Sequence, residues 1–396
     1  MFIYFNSAKL SKISDYINNV KLIIIRVIKM LDKFARLIVE YCTEIRKGDE
    51  VLVNASTEAM PLVRELWKAI VSRGAYPHLY LHDDVLNEIF YRYAPEDLLK
   101  YESKIDVFVM ENIDVRISIL SPTHTKPLVN VDPERIKLRR QALRKLTEIF
   151  MRRDAEESLR WVVTACPTNS LAQEAGMSPL EFSEFVFKSL KLYSDDPVRA
   201  WMEQANWQQK VADALSKVSE LRFVSKDTDI LVRVDGRSWI NDDGKNNMPG
   251  GEVFTGPHED GTEGYITFTY PAIWSGVEVE GVKLVFKRGK VVEATAIKGG
   301  EFLRKILEVD EGAKRLGEVA FGLNYDVTRF TKEILFDEKI GGTIHMALGA
   351  SYPKTGGKNT SAIHWDMIKD MKKDSKVYAD GDLIYENGRF LEDVLK

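Results

Sequence analysis

Residues 337–349, DEKIGGTIHMALG, place a histidine inside an apolar run that follows two acidic residues. The neighbours Ile344 and Met346 indicate a buried strand, and a buried strand excludes a polar ring unless that ring has a partner. His345 must therefore meet a group that its imidazole can bind. The chemistry of that partner is the question that the remaining sequence has to answer.

The composition is that of a globular protein. A chain of 396 residues is long enough for roughly two domains, each with its own core. Hydrophobic residues make up 44% and charged residues 29% of the chain, which excludes a disordered protein. The net charge of -4 gives no electrostatic reason to expect a nucleic-acid partner. Cys42 and Cys166 form no CxxC motif, so we expect no disulfide framework, no thiolate zinc site and a cytoplasmic location.

The first 29 residues differ from the rest of the chain. They are rich in Ile, Asn and Lys, and their apolar run at residues 22–25 is too short for a signal-peptide core or a membrane span. Met30 opens a stretch with apolar residues at helical spacing, so we interpret Met30 as the start of the fold. Residues 1–29 are then an extension: a translated upstream region, a loosely attached helix or a functional anchor. No membrane partner is expected.

Residues 30–220 alternate between strand and helix patterns. We predict strands at 51–54, 76–81, 105–110 and 160–167, and helices at 59–72 and 133–152. This alternation is typical of an α/β domain.

Residues 221–396 have a different pattern. Short alternating strands are separated by Asp-Gly, Glu-Gly, Arg-Gly and Asn-Gly pairs, which are typical of tight antiparallel hairpins. We therefore predict that the α/β domain is followed by a mainly antiparallel, β-rich domain of the α+β type. The domain boundary is expected near residues 217–221.

Several common catalytic motifs are absent from the sequence. HEDGT at residues 258–262 lacks the second histidine of HExxH, and the chain has no GxSxG, GxGxxG or complete Walker A motif. Serine and cysteine nucleophiles have no recognisable local signature. What remains is a set of carboxylates and histidines in the β-rich part.

Four segments carry these groups. They are NMPGGEVFTGP with Glu252, RLGEVAFGLN with Glu318, FDEKIGGTIHMALG with Glu338 and His345, and SAIHWDMIKD with His364 and Asp366. Each residue alone has an ordinary explanation, such as a solvated acid, a strand-end charge or a core histidine bonded to backbone. Together, acids and imidazoles at glycine-bounded strand ends predict a two-metal site with oxygen and nitrogen ligands.

The formal charges of these groups agree with two divalent ions. The four carboxylates total -4, which two divalent cations would neutralise while the two neutral imidazoles complete the ligand shells. The same acids buried without metal would repel one another and raise their pKa values.

The same segments resemble a known enzyme family. NMPGGEVFTGP, LGEVAFG, LFDEKIGGTIHMALGASYP and SAIHWDM are similar to sequence blocks of the thermophilic metallo-aminopeptidases, the aminopeptidase T and aminopeptidase S type. The resemblance extends upstream through LAQEAGMSPLEFSEFVF at residues 171–187 and covers the chain from Met30 to its C terminus. It implies a homodimer, an α/β domain, a β-rich catalytic domain and a pair of divalent ions. Those ions would be zinc or cobalt, with magnesium or manganese as alternatives.

The resemblance also implies roles for individual residues. The implied metal ligands are Glu252, Glu318, Glu338, His345, His364 and Asp366. Glu318 would bridge both ions, and Tyr352 would donate a hydrogen bond to the developing oxyanion. The implied reaction is hydrolysis of the N-terminal residue from peptides with free N termini by a metal-activated water. Two alternatives stay open: hydrolysis of another amide, as by a dipeptidase, and a non-catalytic relative that binds peptides.

Overall fold

The computed structural model describes residues 29–395, so the predicted extension lies outside the described residues apart from residue 29. A helix that includes residues 29–36 continues as a π-helical turn at Leu37–Cys42. The helices and 3-10 turns that follow are Thr57–Ala59, Met60–Ser72, Asp84–Tyr93, Glu96–Leu99, Lys104–Asn112, Pro133–Ala142, Arg144–Ala155, Asn169–Glu174, Pro179–Ser189, Pro197–Leu215, Gly300–Leu307, Gly312–Lys314, Ile334–Asp337, Pro353–Thr355 and Glu392–Leu395. None of the helices within residues 29–395 combines the length and apolarity that a membrane crossing requires.

The first sheet, which we call the parallel sheet, has five strands that all run parallel to their neighbours. Their order across the sheet is Tyr76–Leu81, Glu50–Ala55, Val115–Leu120, Arg160–Ala165 and Asn247–Met248. Val115, Ile117 and Ile119 point into a core that they share with the first helices. The α/β character predicted for the N-terminal part is confirmed. The boundary near residue 220 stays a prediction, since a strand beyond it extends this sheet.

One predicted strand is wrong. Residues 105–110 belong to the helix Lys104–Asn112, and the strand follows at Val115–Leu120. The Ser103 hydroxyl caps this helix, and Met110 packs with Leu52 in a small core on the second face of the parallel sheet. A short apolar run does not distinguish a strand from a helix that buries one side, because both structures need apolar residues.

The long helix predicted at residues 133–152 is divided in two. Pro133–Ala142 ends at Leu143, and Arg144–Ala155 begins directly after it. Ile149 of the second helix packs into the same small core as the helix Lys104–Asn112. The second of the two short helices therefore covers the sheet, whereas the first packs near the helix Glu96–Leu99.

Antiparallel sheets make up most of the remaining chain, which confirms the predicted β-rich part. An eight-stranded sheet has the order Lys290–Thr295, Lys283–Lys287, Thr262–Thr267, Thr228–Arg233, Glu220–Ser225, Lys376–Ala379, Asp382–Glu386 and Arg389–Phe390. A two-stranded hairpin consists of Ala272–Trp274 and Val277–Val279. A five-stranded sheet, which we call the site sheet, has the order His364–Asp370, Thr343–Gly349, Leu316–Gly322, Glu252–Thr255 and Ile240–Asp242.

The second core lies between the eight-stranded sheet and the site sheet. Phe223 and Ile230 enter this core from the eight-stranded sheet, and Phe321, Ile344 and Met346 enter it from the site sheet. Side chains alternate between the two faces of a strand. The opposite face of the site sheet is therefore free to carry polar groups.

Candidate metal centre

The polar face of the site sheet carries most of the predicted site. Directly opposed residues in antiparallel strands face the same side. Register pairs such as Ala320 with His345 and Ala347 with Asp366 therefore place six polar residues on one face: Asp242, Glu252, Glu318, His345, His364 and Asp366. The residues between them are small and leave space above the sheet: Ala320, Gly322, Ala347 and Gly349.

The turn that leads into Glu252 has room only for glycine. Gly251 has a φ of +121°, and a Cβ at this position would lie 2.4 Å from Asn324 Cβ. The Asn324 side-chain amide donates to the carbonyl of Gly250 at 3.2 Å. This close packing delivers Glu252 to the start of its strand.

The first ligand group consists of Glu252, Glu338 and His345, whose ligand atoms lie within 4.8 Å of one another. His345 Nε2 is 3.0 Å from Glu252 Oε2, and the imidazole is completely buried. Glu338 does not come from the sheet, because it follows the short helix Ile334–Asp337 directly. The partners that the sequence required for His345 are therefore carboxylates.

The second ligand group consists of Glu318, His364 and Asp366, again with ligand atoms within 4.8 Å of one another. His364 Nε2 lies 3.6 Å from Asp366 Oδ2 and 3.8 Å from Glu318 Oε2. Its Nδ1–H donates to the carbonyl of Ala350 at 2.8 Å, which directs Nε2 towards the acids. Glu318 also links the two groups, since its Oε1 lies 3.1 Å from His345 Nε2.

Two charged residues of the site were not predicted from the sequence. Lys339 Nζ lies 2.7 Å from Asp242 Oδ2, 2.6 Å from Glu252 Oε1 and 2.6 Å from Glu338 Oε1. The Lys339 side chain is completely buried. The only local signal was its position beside Glu338, and a lysine next to a glutamate is equally common on a protein surface.

Burial and close charges shift the pKa values of these groups in opposite directions. Burial raises the pKa of Glu338 to about 8 and that of Asp242 to about 6, although Lys339 opposes both shifts. Burial also disfavours the charged form of Asp366, but His364 outweighs it and lowers the Asp366 pKa to about 2. In turn, Asp366 overcomes burial and raises the pKa of His364 to about 10. The cluster therefore holds more acid than its own cations balance.

The residues present fit a divalent-metal centre. Among the described residues, Glu252 Oε2 and Asp366 Oδ1 are buried and accept no hydrogen bond of good geometry. Three of the five site carboxylates contact the Lys339 ammonium, and the five acids with this one lysine leave a formal charge of -4 when the imidazoles are neutral, as they are when they bind metal. Carboxylate oxygen and imidazole nitrogen are common ligands of zinc and similar ions.

Tyr352 lies beside the second ligand group. Its ring centroid is 5.2 Å from that of His364 and 5.5 Å from that of Phe254. Desolvation and the neighbouring carboxylates raise the pKa of Tyr352 above its usual value, although 48% of its surface is exposed. The phenol is therefore protonated at neutral pH and can donate a hydrogen bond.

A cavity of about 310 Å³ opens beside the second ligand group. His364 and Asp366 line one part of it, while Trp274 and Phe330 supply apolar wall. The structure thus brings the seven predicted site residues to one region with an adjacent cavity. Their individual roles stay predictions.

The chain is similar to known proteins along most of its length. Residues 28–390 match the family model described as thermophilic metalloprotease (M29). Aminopeptidase 2 of Geobacillus stearothermophilus is 31% identical over 385 residues, which cover 89% of this chain and 91% of that relative. Aminopeptidase T of Thermus thermophilus is 28% identical, with 90% of this chain and 95% of that relative covered.

A solved structure has the same fold. Wild-type AmpT from Thermus thermophilus matches with a TM-score of 0.80 at 26% identity, covering 91% of this chain and 99% of that chain. These similarities confirm the predicted family, the fold class and the prediction of a metallo-aminopeptidase, a hydrolase that acts on peptide bonds. The chain belongs to the thermophilic metalloprotease family M29.

Proposed function

We propose that this chain removes N-terminal residues from peptides with the help of two divalent metal ions, zinc or cobalt. The observation that carries this proposal is the excess of acid at the site sheet, where five carboxylates lie together and a single lysine ammonium contacts three of them. One ion would be held by Glu252, Glu338 and His345, and the other by Glu318, His364 and Asp366.

Divalent ions bound there would supply Lewis acidity and lower the pKa of a water molecule towards neutrality. Glu318 is suited to bridge the two ligand groups because its two oxygens face different imidazoles. Oε1 lies 3.1 Å from His345 Nε2, whereas Oε2 lies 3.8 Å from His364 Nε2.

Tyr352 is the proposed donor to the oxygen that becomes negatively charged during hydrolysis. Its raised pKa keeps the hydroxyl protonated, and its ring packs against His364 and Phe254. A donor held in place before the reaction stabilises developing charge without a further cost of reorganisation.

The free α-amine of the peptide would bind beside the second ligand group. A protonated amine is attracted to excess negative charge, and an unprotonated amine is a suitable metal ligand. The neighbouring cavity offers Trp274 and Phe330 as apolar wall for the first side chain. Substrates are therefore peptides with free N termini.

Metal analysis combined with a peptide assay tests this function. The purified protein should contain about two equivalents of divalent metal per chain and should release amino acids one at a time from the free end of a peptide. Internal fragments in the mass spectrum would favour a different peptidase. Hydrolysis of dipeptides alone would favour a dipeptidase, and peptide binding without turnover would favour a non-catalytic relative.

The resemblance to the family also motivates a homodimer and a cytoplasmic location. Both are proposals that sedimentation analysis and localisation of the tagged protein would test.

A further inference from the structure

A second and larger cavity, of about 640 Å³, lies at the carboxyl end of the parallel sheet. We call it the sheet-end pocket. It is lined by the ends of the strands Glu50–Ala55, Tyr76–Leu81 and Val115–Leu120 and by the loops that follow them. In this sheet the strand Glu50–Ala55 lies between Tyr76–Leu81, which is the next strand in the chain, and Val115–Leu120, which is the one after that. Between those two strands the chain therefore crosses from one side of Glu50–Ala55 to the other. Ligands of open α/β sheets bind at such a crossing point.

Three hydrogen-bond donors meet at this crossing point. In the register of the two strands, Leu52 pairs with Arg116 and Asn54 pairs with Ser118. Arg116, Ser118 and Asn54 therefore share one face of the sheet, and all three line the sheet-end pocket.

Two of these donors are buried without a partner. Within residues 29–395, Arg116 Nε and Asn54 Nδ2 have no hydrogen-bond acceptor. Burial lowers the pKa of Arg116, and no described carboxylate lies within ion-pair distance to oppose that effect. Arg116 is half-buried, and its guanidinium carbon lies 5.7 Å from the centroid of the Phe150 ring. The ring gives Nε no acceptor, whereas an anionic ligand in the pocket would supply one.

The acids near the pocket are already engaged. Asp83 caps a helix by accepting from the Val85 and Leu86 N–H groups, both at 2.9 Å. Asp84 accepts from the Thr123 hydroxyl at 2.7 Å and from backbone N–H groups. Neither carboxylate therefore replaces the missing partner of Arg116.

The sheet-end pocket adjoins the cavity beside the metal centre. Glu333 lines both of them, and the second cavity also contains His364 and Asp366. The Glu333 side chain caps a short helix, and burial raises its pKa, which weakens any repulsion of an anion. Glu333 is therefore the shared wall that a peptide reaching from the metal centre into the sheet-end pocket would pass.

We propose that the sheet-end pocket binds the C-terminal carboxylate of a short peptide whose N terminus lies at the metal centre. Arg116 pairs with the carboxylate, and Asn54 and Ser118 donate to its oxygens. This inference rests on the proposed aminopeptidase function and adds to it a preference for short peptides with a free C terminus.

The test compares peptides with free and amidated C termini, from dipeptides to hexapeptides. For the lengths that reach the pocket, the metal-loaded wild-type protein should have a kcat/KM about 10-fold to 100-fold higher for the free acid, as expected for one charge-assisted contact. Arg116→Met should remove this preference, so that the variant cleaves free-acid and amidated peptides of the same length at equal rates. Arg152→Met is the matched control, because Arg152 pairs with Glu111 at an exposed position.

The outcomes separate the two proposals. No release of amino acids from either peptide series would overturn the aminopeptidase function itself. Normal release with equal rates on free and amidated peptides at every length would overturn only the carboxylate site. If inorganic phosphate bound to wild-type protein but not to Arg116→Met, while peptide preference was absent, the pocket would be a phosphate site and the proposal would be wrong.

Discussion

A fully buried lysine beside the site sheet and a half-buried arginine in the parallel sheet have opposite surroundings. Lys339 has carboxylate oxygens at 2.6 Å, 2.6 Å and 2.7 Å. Among the described residues, Arg116 Nε has no acceptor at all. One region holds more acid than its cation can balance, and the other holds a cation without an acid.

This difference indicates the charge of the ligand that each region would bind. Excess carboxylate favours bound cations, which agrees with the metal-dependent family of this chain. An unpaired guanidinium favours a bound anion. On this interpretation, removal of the lysine charge should destabilise the protein, whereas removal of the arginine charge should leave its stability unchanged or raise it.

The largest effect should follow removal of metal. Exhaustive chelation should lower aminopeptidase activity by at least about a thousandfold, because the metal supplies several kcal/mol of transition-state stabilisation. Zinc or cobalt should restore the activity. His345→Ala should prevent this recovery, whereas His78→Ala, a change at an exposed histidine outside the site, should not. Full activity in verified metal-free protein would contradict the interpretation that the excess carboxylates bind the metal on which activity depends.

Removal of the paired lysine should strongly destabilise the metal-free protein. Lys339→Met leaves Asp242, Glu252 and Glu338 without their common cation, at an expected loss of about 3–5 kcal/mol in urea unfolding. Added zinc should reduce the loss. The deficit should also shrink as the pH falls, because burial already raises the pKa values of Asp242 and Glu338 in the folded state and their protonation ends the repulsion.

The matched control for this variant is Lys369→Met. Lys369 is buried in the site sheet, and the only hydrogen bond of its ammonium within residues 29–395 is to the carbonyl of Thr267 at 2.9 Å. Its replacement should cost about 1 kcal/mol or less. Equal losses in the two variants would show that the three carboxylates do not depend on Lys339.

Tyr352→Phe should reduce turnover without unfolding the protein. Loss of one donor to the developing oxyanion typically lowers kcat by about 100-fold to 1,000-fold. The phenylalanine ring keeps the contacts with Phe254 and His364, so the melting temperature and metal content should match those of wild type. An unchanged kcat would exclude Tyr352 from the reaction.

Acetylation of the substrate amine tests whether the acidic region binds the peptide N terminus. Loss of a charge-assisted contact typically costs about 1.5–3 kcal/mol, which corresponds to one to two decades in kcat/KM. The measurement compares one peptide with free and acetylated ends by mass spectrometry. Equal rates would reject the aminopeptidase assignment and leave the metal centre intact.

The smallest effect should come from Arg116→Met in ligand-free protein. The methionine keeps much of the apolar stem that packs near the Phe150 ring, and the change removes an unpaired charge. The free energy of unfolding should therefore change by no more than about 0.5 kcal/mol, or should rise. A loss comparable to that of Lys339→Met would mean that Arg116 has a structural partner.

Local patterns predicted much of the fold and most of the site. The Gly-bounded strands around Glu318 and His345 were recognisable because their apolar residues are continuous and their polar residues are few. The strand Val115–Leu120 was missed because Arg116 and Ser118 interrupt its apolar pattern, while the more apolar segment before it forms a helix. Arg116, which interrupts the apolar pattern of this strand, is also the residue on which the proposed anion site rests.

The sequence by itself determined which carboxylates and imidazoles were available. The position of His345 in an apolar strand indicated that these groups form a metal site. It also determined the change from α/β alternation to hairpins, since both patterns depend on near neighbours in the chain. Only the tertiary structure decided that Lys339 meets Asp242 and that Arg116 Nε meets no acceptor within the described part of the chain. These contacts depend on strand register and sheet packing, which join residues distant in sequence, and no local pattern encodes which distant charges will share a buried volume.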